Sequence, residues 1–217
     1  MQELIRVAVD AMGGDNAPAE IVKGAVEALK ASTDLKVILV GQEEAVQQEL
    51  SKYQYDASRM EVVNATEIIE MAEPPVQAIR SKKDSSIVVA MKLVKNGEAD
   101  AFVGAGSTGA VLVGGQLIVG RLKGVERPPL APLLPTEKGA SLLIDCGANV
   151  DARPSHLVQF AKMGSIYMEN VMGVKNPRVA IVNIGAEEEK GNALVKETFP
   201  LLKACQDINF IGSIEAR

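Results

Sequence analysis

The chain has 217 residues, of which 47% are hydrophobic and 24% are charged, and its formal net charge at pH 7 is -5. This composition is ordinary for a folded domain with a sizeable core and excludes a disordered chain. The acidic balance, with no long block of lysine and arginine, argues against a nucleic-acid partner.

The cysteine content and the N-terminal segment bear on the compartment. Cys146 and Cys205 are the two cysteines of the chain. The segment MQELIRVAVD lacks the basic head and uninterrupted apolar run of a secretory signal. We therefore expect a reducing, cytoplasmic environment.

Short apolar runs typical of buried parallel strands recur along the chain. They lie at residues 5–9, 36–40, 101–103, 141–144, 179–182 and 209–211. Helical segments lie between most of them, and the first, at about 17–30, has Asp15 or Asn16 as a candidate cap and Pro18 in its first turn. This alternation predicts an α/β fold of three layers (α/β/α) with a mostly parallel, doubly wound sheet.

Residues 1–217 are interpreted as a single α/β domain, with a possible lobe boundary near 124–136. The boundary rests on the proline-rich stretch at 128–135, which favours an extended edge or a connection over a helix. The uncharged run at 101–120 has the length of a membrane helix. Its six glycines favour a buried strand, turn and helix instead.

Four of the predicted strands end in loops rich in glycine and polar residues, at 10–18, 104–109, 145–151 and 183–192. Because parallel strands open at the same edge of a sheet, these loops are expected to converge on one crevice. Ordinary glycine and asparagine turns remain the alternative.

The loop at 104–109 has the spacing G-x-G-x-x-G. A dinucleotide site is not favoured, because no acidic residue follows at the end of an obvious second strand. Ser107, Thr108 and Gly109 instead stand at a predicted helix start, where free N–H groups favour a small anion such as phosphate. Simple N-capping by either hydroxyl is the alternative.

Three further side chains are candidates for chemistry. His156, the only histidine, lies near a predicted helix start, where a neutral imidazole donor is favoured, although a structural role is equally open. Lys190 is placed to meet an anion or is simply solvated. Cys146 is not favoured as a nucleophile, because a free cysteine is more often a small buried side chain. No cysteine and histidine cluster has the spacing of a metal site, so no metal is expected.

Seven segments, read together, closely resemble the bacterial phosphate acyltransferases of the PlsX type over essentially the whole chain. They are residues 9–15, 105–110, 124–128, 147–151, 159–164, 188–192 and 209–212. The resemblance implies a fold similar to those of phosphotransacetylases and isocitrate and isopropylmalate dehydrogenases, usually a homodimer. Family members continue beyond residue 217, so the chain is C-terminally incomplete relative to the family. Ser107 and Cys146 stand where the family more often has asparagine and valine.

The resemblance also implies an activity: transfer of a fatty acyl group from acyl-acyl carrier protein to inorganic phosphate. The product is an acyl phosphate for phospholipid synthesis. The resemblance implies that the reaction needs no cofactor and takes place beside the membrane. A phosphotransacetylase-like enzyme acting on acyl-coenzyme A, or a non-catalytic ligand-binding fragment, are the alternatives. The expected catalytic residues are Lys190, His156 and Asn149. The expected substrate and phosphate-binding residues are Asp10, Gly13, Gly14, Asp15, Ser107, Thr108, Gly109 and Asn192.

Overall fold

A computed structural model describes residues 4–215, and the chain divides into two compact units, Met1–Arg121 and Leu122–Arg217. The division falls just before the segment 124–136, where the sequence suggested a lobe boundary.

The first unit is built on a parallel sheet of four strands in the order β3-β2-β1-β4. In chain order its elements are β1 (Ile5–Asp10), α1 (Ala19–Ala31), β2 (Leu35–Gly41), α2 (Glu43–Leu50), β3 (Met60–Asn64), α3 (Pro75–Ser81), α4 (Ser86–Lys95), β4 (Ala101–Val103) and α5 (Thr108–Gly114). A 3-10 turn precedes β3 at Ala57–Arg59, and a π-helical turn continues α5 at Gly115–Val119.

Strand β2 shows why the sheet carries helices on both faces. Its side chains alternate, so Val37 and Leu39 pack in one cluster with the apolar stripe of α1 and with α2. Ile38 and Val40 pack in a second cluster that includes Ala90 of α4. All four side chains are at most 3% exposed. The predicted α/β/α layering is confirmed in this unit.

Arg59 ties the end of α1 to the sheet. Its guanidinium donates to the carbonyl oxygens of Leu29 at 2.9 Å and Ser32 at 2.7 Å, which belong to or follow the last turn of α1. It also reaches the Leu35 carbonyl, at the start of β2, at 3.4 Å and pairs with the Asp56 carboxylate at 2.9 Å. One cation therefore satisfies carbonyl groups that the helix end leaves without partners.

Residues 65–74 form a segment without helix that is joined to the residues between α3 and α4 and is here called the strap. The Asp84 carboxylate accepts hydrogen bonds from the backbone and hydroxyl of Thr66, at 3.0 and 2.6 Å. The Lys82 ammonium donates to the Ile68 carbonyl at 2.6 Å and pairs with Glu73. Glu67 forms a parallel β-bridge with Ser85.

The second unit contains a hairpin, two helices and a pair of parallel strands. Its elements are β5 (Leu133–Thr136), β6 (Gly139–Leu142), α6 (Pro154–Asn170), β7 (Arg178–Asn183), α7 (Ala193–Ala204) and β8 (Asn209–Glu215). The core packs Ala161 of α6 and Phe199 and Leu202 of α7 against Ile181 of β7.

Three local predictions were wrong or incomplete. The run at 141–144 was predicted as a buried parallel strand, but β6 pairs antiparallel with β5 and is at most half-buried. Neither Asp15 nor Asn16 caps α1 through its side chain, since the cap position is Pro18. Strand β3 was not predicted at all.

The run at 101–120 forms β4, a loop, α5 and the π-helical turn, as the glycines indicated. Within residues 4–215, no helix has both the length and the apolar character needed to span a bilayer.

Candidate functional site

The order of the strands in the first unit places its two glycine-rich loops side by side. Moving from β1, the chain first builds the sheet toward β2 and β3, then returns to add β4 on the other side of β1. The loops that follow β1 and β4 therefore flank the point where the strand order reverses, which is where ligands bind in open parallel sheets. We call residues 10–18 the first glycine loop and residues 104–109 the second.

The two glycine loops touch through their backbones. A Cβ placed on Gly13 would lie 2.9 Å from the Gly106 nitrogen, and one placed on Gly106 would lie 3.1 Å from the Gly13 Cα. Gly14 has φ of +108°, a region that side chains other than glycine rarely adopt. Glycine is thus required at these positions by close packing and by backbone conformation.

Asp10 lies beneath this contact rather than on its surface. It is 1% exposed, and its Oδ1 accepts the Met12 N–H at 3.1 Å. Burial raises the pKa of Asp10, while hydrogen bonds from Ser86 and from the Met12 and Gly13 backbone lower it. A buried carboxyl that receives the N–H groups of its own loop fixes that loop, and the contact of Asp10 with phosphate stays a prediction. Asp15, by contrast, is exposed.

The second glycine loop leads into α5 through Ser107. The Ser107 Oγ accepts the Ala110 N–H at 3.3 Å, and the residue is 4% exposed, so the hydroxyl caps the helix. N–H groups at the start of a helix lack partners within it, which leaves Thr108 and Gly109 to offer theirs to a ligand. A Cβ on Gly109 would lie 2.6 Å from Pro75 Cγ, so this turn packs tightly on the start of α3.

In the second unit, the loop at 145–151 is organised by Asp145. Its carboxylate accepts N–H groups of Leu130, Ala148 and Asn149, at 2.6, 3.3 and 2.7 Å. The Asn149 side-chain amide donates to the Pro128 carbonyl at 3.0 Å and to Asp145 at 3.3 Å. The donors of Asn149 are therefore used inside the protein. Cys146 is exposed, so the expectation that it would be buried was wrong.

His156 is buried near the start of α6 with a partner on each ring nitrogen. Its Nδ1 accepts the Arg153 N–H at 3.1 Å, and its Nε2 lies 3.0 Å from the Glu126 carboxylate. Because Nδ1 accepts, the ring proton is on Nε2 and is donated to Glu126. The donor of His156 is thus directed at a neighbouring residue of the second unit.

Lys190 and Asn192 lie in the loop between β7 and α7. The Lys190 ammonium is half-exposed and pairs with Glu187 at 2.9 Å, which raises the pKa of Lys190. The Asn192 Oδ1 accepts the Val195 N–H at 2.9 Å and caps α7. The Asn183 amide, from the end of β7, donates to the Lys190 carbonyl at 3.0 Å and holds the loop in place.

The structure thus brings the predicted residues together in two sets. The first unit holds Asp10, Gly13, Gly14, Asp15 and the turn at 107–109. The second unit holds Asn149, Lys190 and Asn192 on loops and His156 in the first turn of α6. Sequence reasoning missed three supporting residues: Ser86, Glu126 and Gln159. The last two lie in segments that had been noted for their resemblance to a family, which was the available signal.

Two solved structures share the fold of this chain. A phosphotransacetylase from Streptococcus pyogenes superposes with a TM-score of 0.73 and 18% identity, covering 98% of this chain and 68% of its own. The EutD phosphotransacetylase from Staphylococcus aureus gives a TM-score of 0.68 and 20% identity, covering 98% and 69%. At these identities the likeness shows that the fold is shared.

Sequence comparison then gives the family. The model of a family described as fatty acid synthesis protein matches residues 5–217, and the chain belongs to that family. A phosphate acyltransferase from Desulfitobacterium hafniense (strain Y51) is 55% identical over 214 residues, covering 99% of this chain and 63% of the relative. One from Clostridium beijerinckii is 54% identical over 213 residues, covering 98% and 64%. The chain spans slightly under two thirds of these relatives, and the resemblance drawn from its motifs is confirmed.

Proposed function

We propose that the chain supplies the phosphate-binding part of a phosphate acyltransferase, which moves a fatty acyl group from acyl-acyl carrier protein to inorganic phosphate. The acyl phosphate formed would enter phospholipid synthesis. The observation that carries the proposal is the backbone contact between Gly13 and Gly106 at the switch point of the sheet. The phosphate acyltransferases to which the chain is similar support the same assignment.

Phosphate would be held mainly by N–H groups. The Gly13 N–H is engaged with Asp10, so the donors offered to an anion are those of Gly14 and of residues 107–109. Closely spaced backbone N–H groups bind an anion without needing a charged side chain, whose desolvation would be costly. Asp15 in the first unit, and Lys190 and Asn192 in the second, are proposed as further residues that contact substrate. For Lys190 this requires the ammonium to share or leave its surface pair with Glu187, which costs little because exposed pairs are weak.

The chemistry needs positioning more than proton transfer. Inorganic phosphate is already anionic near neutral pH, so its oxygen attacks the thioester carbonyl without a strong base. The new bond joins the acyl carbon to a phosphate oxygen, and the C–S bond breaks with its electron pair leaving on sulfur. A thiol with a pKa of about 8.5 departs readily as the thiolate. We propose direct transfer, with no acyl-enzyme.

His156 and Asn149 would act through the loops that they hold. Their donors are engaged with Glu126, Asp145 and the Pro128 carbonyl, so an oxyanion would have to displace one of these partners. We therefore propose that both residues position backbone and leave stabilisation of the oxyanion to other donors.

The test is phosphate-dependent release of free thiol from acyl-acyl carrier protein, measured for this chain and for a version extended to the length of its relatives. Release that saturates with phosphate in either version supports the proposal, and its absence from both contradicts it. Intact-protein mass spectrometry during turnover tests direct transfer, because an acyl adduct on exposed Cys146 or on Ser107 would overturn it.

Acyl-coenzyme A is a second candidate donor, favoured by the fold shared with phosphotransacetylases. Assaying both thioesters side by side separates the two donors. A ligand-binding fragment would bind phosphate without releasing thiol from either. We further propose a homodimer in the cytoplasm, peripheral to the membrane, which sedimentation velocity and fractionation test.

A further inference from the structure

Residues 124–130 of the second unit form an irregular segment that polar contacts fix at both ends. We call it the clamped segment. At one end the Glu126 N–H donates to Gln159 Oε1 at 2.9 Å, and Gln159 Nε2 donates to the Gly124 carbonyl at 3.1 Å. Both bonds attach the segment to α6.

The Glu126 side chain adds to the first attachment. Its carboxylate lies 3.0 Å from His156 Nε2 and 3.3 Å from the Ser155 hydroxyl, while Gln159 Nε2 approaches at 3.5 Å. His156 is 4% exposed. Burying an imidazole is costly unless both nitrogens have partners, and here the partners are the backbone of α6 and the clamped segment.

The second attachment begins two residues later. The Pro128 carbonyl accepts the Asn149 amide at 3.0 Å, and the Leu130 N–H donates to Asp145 at 2.6 Å. The Leu130 carbonyl in turn accepts the Cys146 N–H at 2.8 Å. Pro128 also has a fixed φ and restricts the residue before it to extended conformations.

Arg127 is the residue between the two attachments. It is exposed, and it makes no hydrogen bond or ion pair with any other residue of the range 4–215. Arg59, in contrast, is closely paired with Asp56 and three carbonyls. The clamped segment uses the adjacent carboxylate of Glu126 internally, so that carboxylate is engaged with α6 rather than with the guanidinium of Arg127.

We propose that Arg127 binds a phosphate group of the substrates. A guanidinium presents a planar pair of donors that matches two phosphate oxygens, and a backbone fixed on both sides reduces the entropy lost when it binds. The inference rests on the proposed function. The phosphate group is either inorganic phosphate or the phosphodiester that joins the thiol arm to the carrier protein, and the experiment separates these sources.

The first measurement is independent of turnover. The protein is treated with phenylglyoxal, and peptide mass spectrometry follows modification of Arg127 and of Arg178, an exposed arginine at the start of β7 in the same unit. Inorganic phosphate is expected to slow modification of Arg127 and leave Arg178 unchanged. Equal effects on both arginines, or none on Arg127, contradict binding of inorganic phosphate there.

The second measurement compares Arg127→Gln and Arg127→Lys with Arg178→Gln in the thiol-release assay. If inorganic phosphate is the ligand, Arg127→Gln raises the KM for phosphate by about 10- to 100-fold, and lysine restores part of the loss. If the carrier phosphodiester is the ligand, the KM for acyl-acyl carrier protein rises instead, and that for acyl-pantetheine without a phosphate does not.

The outcomes separate this inference from the proposed function. Normal turnover with both KM values unchanged in Arg127→Gln overturns the role of Arg127 and leaves the acyltransferase standing. If no version of the protein releases thiol, the proposed function fails. The inference is then decided by whether phosphate selectively protects Arg127 from modification by phenylglyoxal.

Discussion

Gly13 and Gly106 pack backbone to backbone, although 93 positions separate them in the sequence. We expect Gly13→Ala to destabilise the fold by about 1–3 kcal/mol, because the new methyl group would overlap the Asp10 carboxylate and the Gly106 nitrogen. Phosphate binding should fall with it. Gly24→Ala is the control, since that glycine lies exposed within α1 with nothing within 4 Å. It should raise stability by up to about 1 kcal/mol in urea denaturation. Equal effects of the two substitutions would contradict the packing argument.

Asp10 should make stability depend on pH in a particular direction. Its pKa is raised in the folded chain by burial, so folding favours the protonated form. Stability from this group is gained as pH falls through the raised pKa and is complete below the ordinary value of 3.8. The difference in unfolding free energy between wild type and Asp10→Asn should therefore shift in favour of wild type as pH falls from 7. Other carboxyls cancel in the comparison, and a difference independent of pH would contradict the assignment.

Arg59→Met should cost about 2–3 kcal/mol of stability. The substitution keeps much of the aliphatic stem and removes the donors to the carbonyls of Leu29 and Ser32, which would remain largely shielded from water. Lys23→Met, which removes an exposed pair with Glu20, is the matched control and should leave the melting temperature nearly unchanged. A comparable loss in both variants would mean that the carbonyl contacts of Arg59 contribute little.

His156 and Glu126 should behave as one unit. His156→Phe and Glu126→Ala each remove the same hydrogen bond, so the double variant should be less destabilised than the sum of the single variants, by about 1 kcal/mol. Urea denaturation of all four proteins gives this coupling. A catalytic rather than positioning histidine would show itself differently: His156→Phe would abolish thiol release while Glu126→Ala preserved it.

The sequence allowed the central strands to be predicted, because β1, β2, β4 and β7 are short apolar runs between helical segments. Strand β3 escaped notice, since MEVVN mixes a charged residue with apolar ones, as edge strands do. The run at 141–144 is equally apolar, but pairing with Leu133–Thr136 decided its orientation. An apolar pattern indicates a strand, but the partner of that strand and the extent of its burial depend on residues that are distant in the sequence.

The glycines of the candidate site were predictable from local composition, whereas the hydrogen bonds of Asn149 and His156 were not. Gly13 and Gly106 stand in loops whose composition differs visibly from the rest of the chain. The engagement of Asn149 and His156 depends on Pro128 and Glu126, about 20 and 30 positions away, and no local pattern indicates such pairs. Polar residues that the sequence suggests as catalytic groups can thus be engaged in hydrogen bonds that hold loops in place.

Two consecutive serines connect the strap to the first glycine loop. Ser85 forms the β-bridge with Glu67, and Ser86 hydrogen bonds to Asp10, which holds the backbone of Met12 and Gly13. Opening of the strap therefore weakens the hydrogen bonds through which Ser86 and Asp10 hold the first glycine loop. A ligand that stabilises this loop opposes that opening. Slower exchange of the amide hydrogens of Glu67 and Ser86 in the presence of phosphate would report occupancy of a site that neither residue touches.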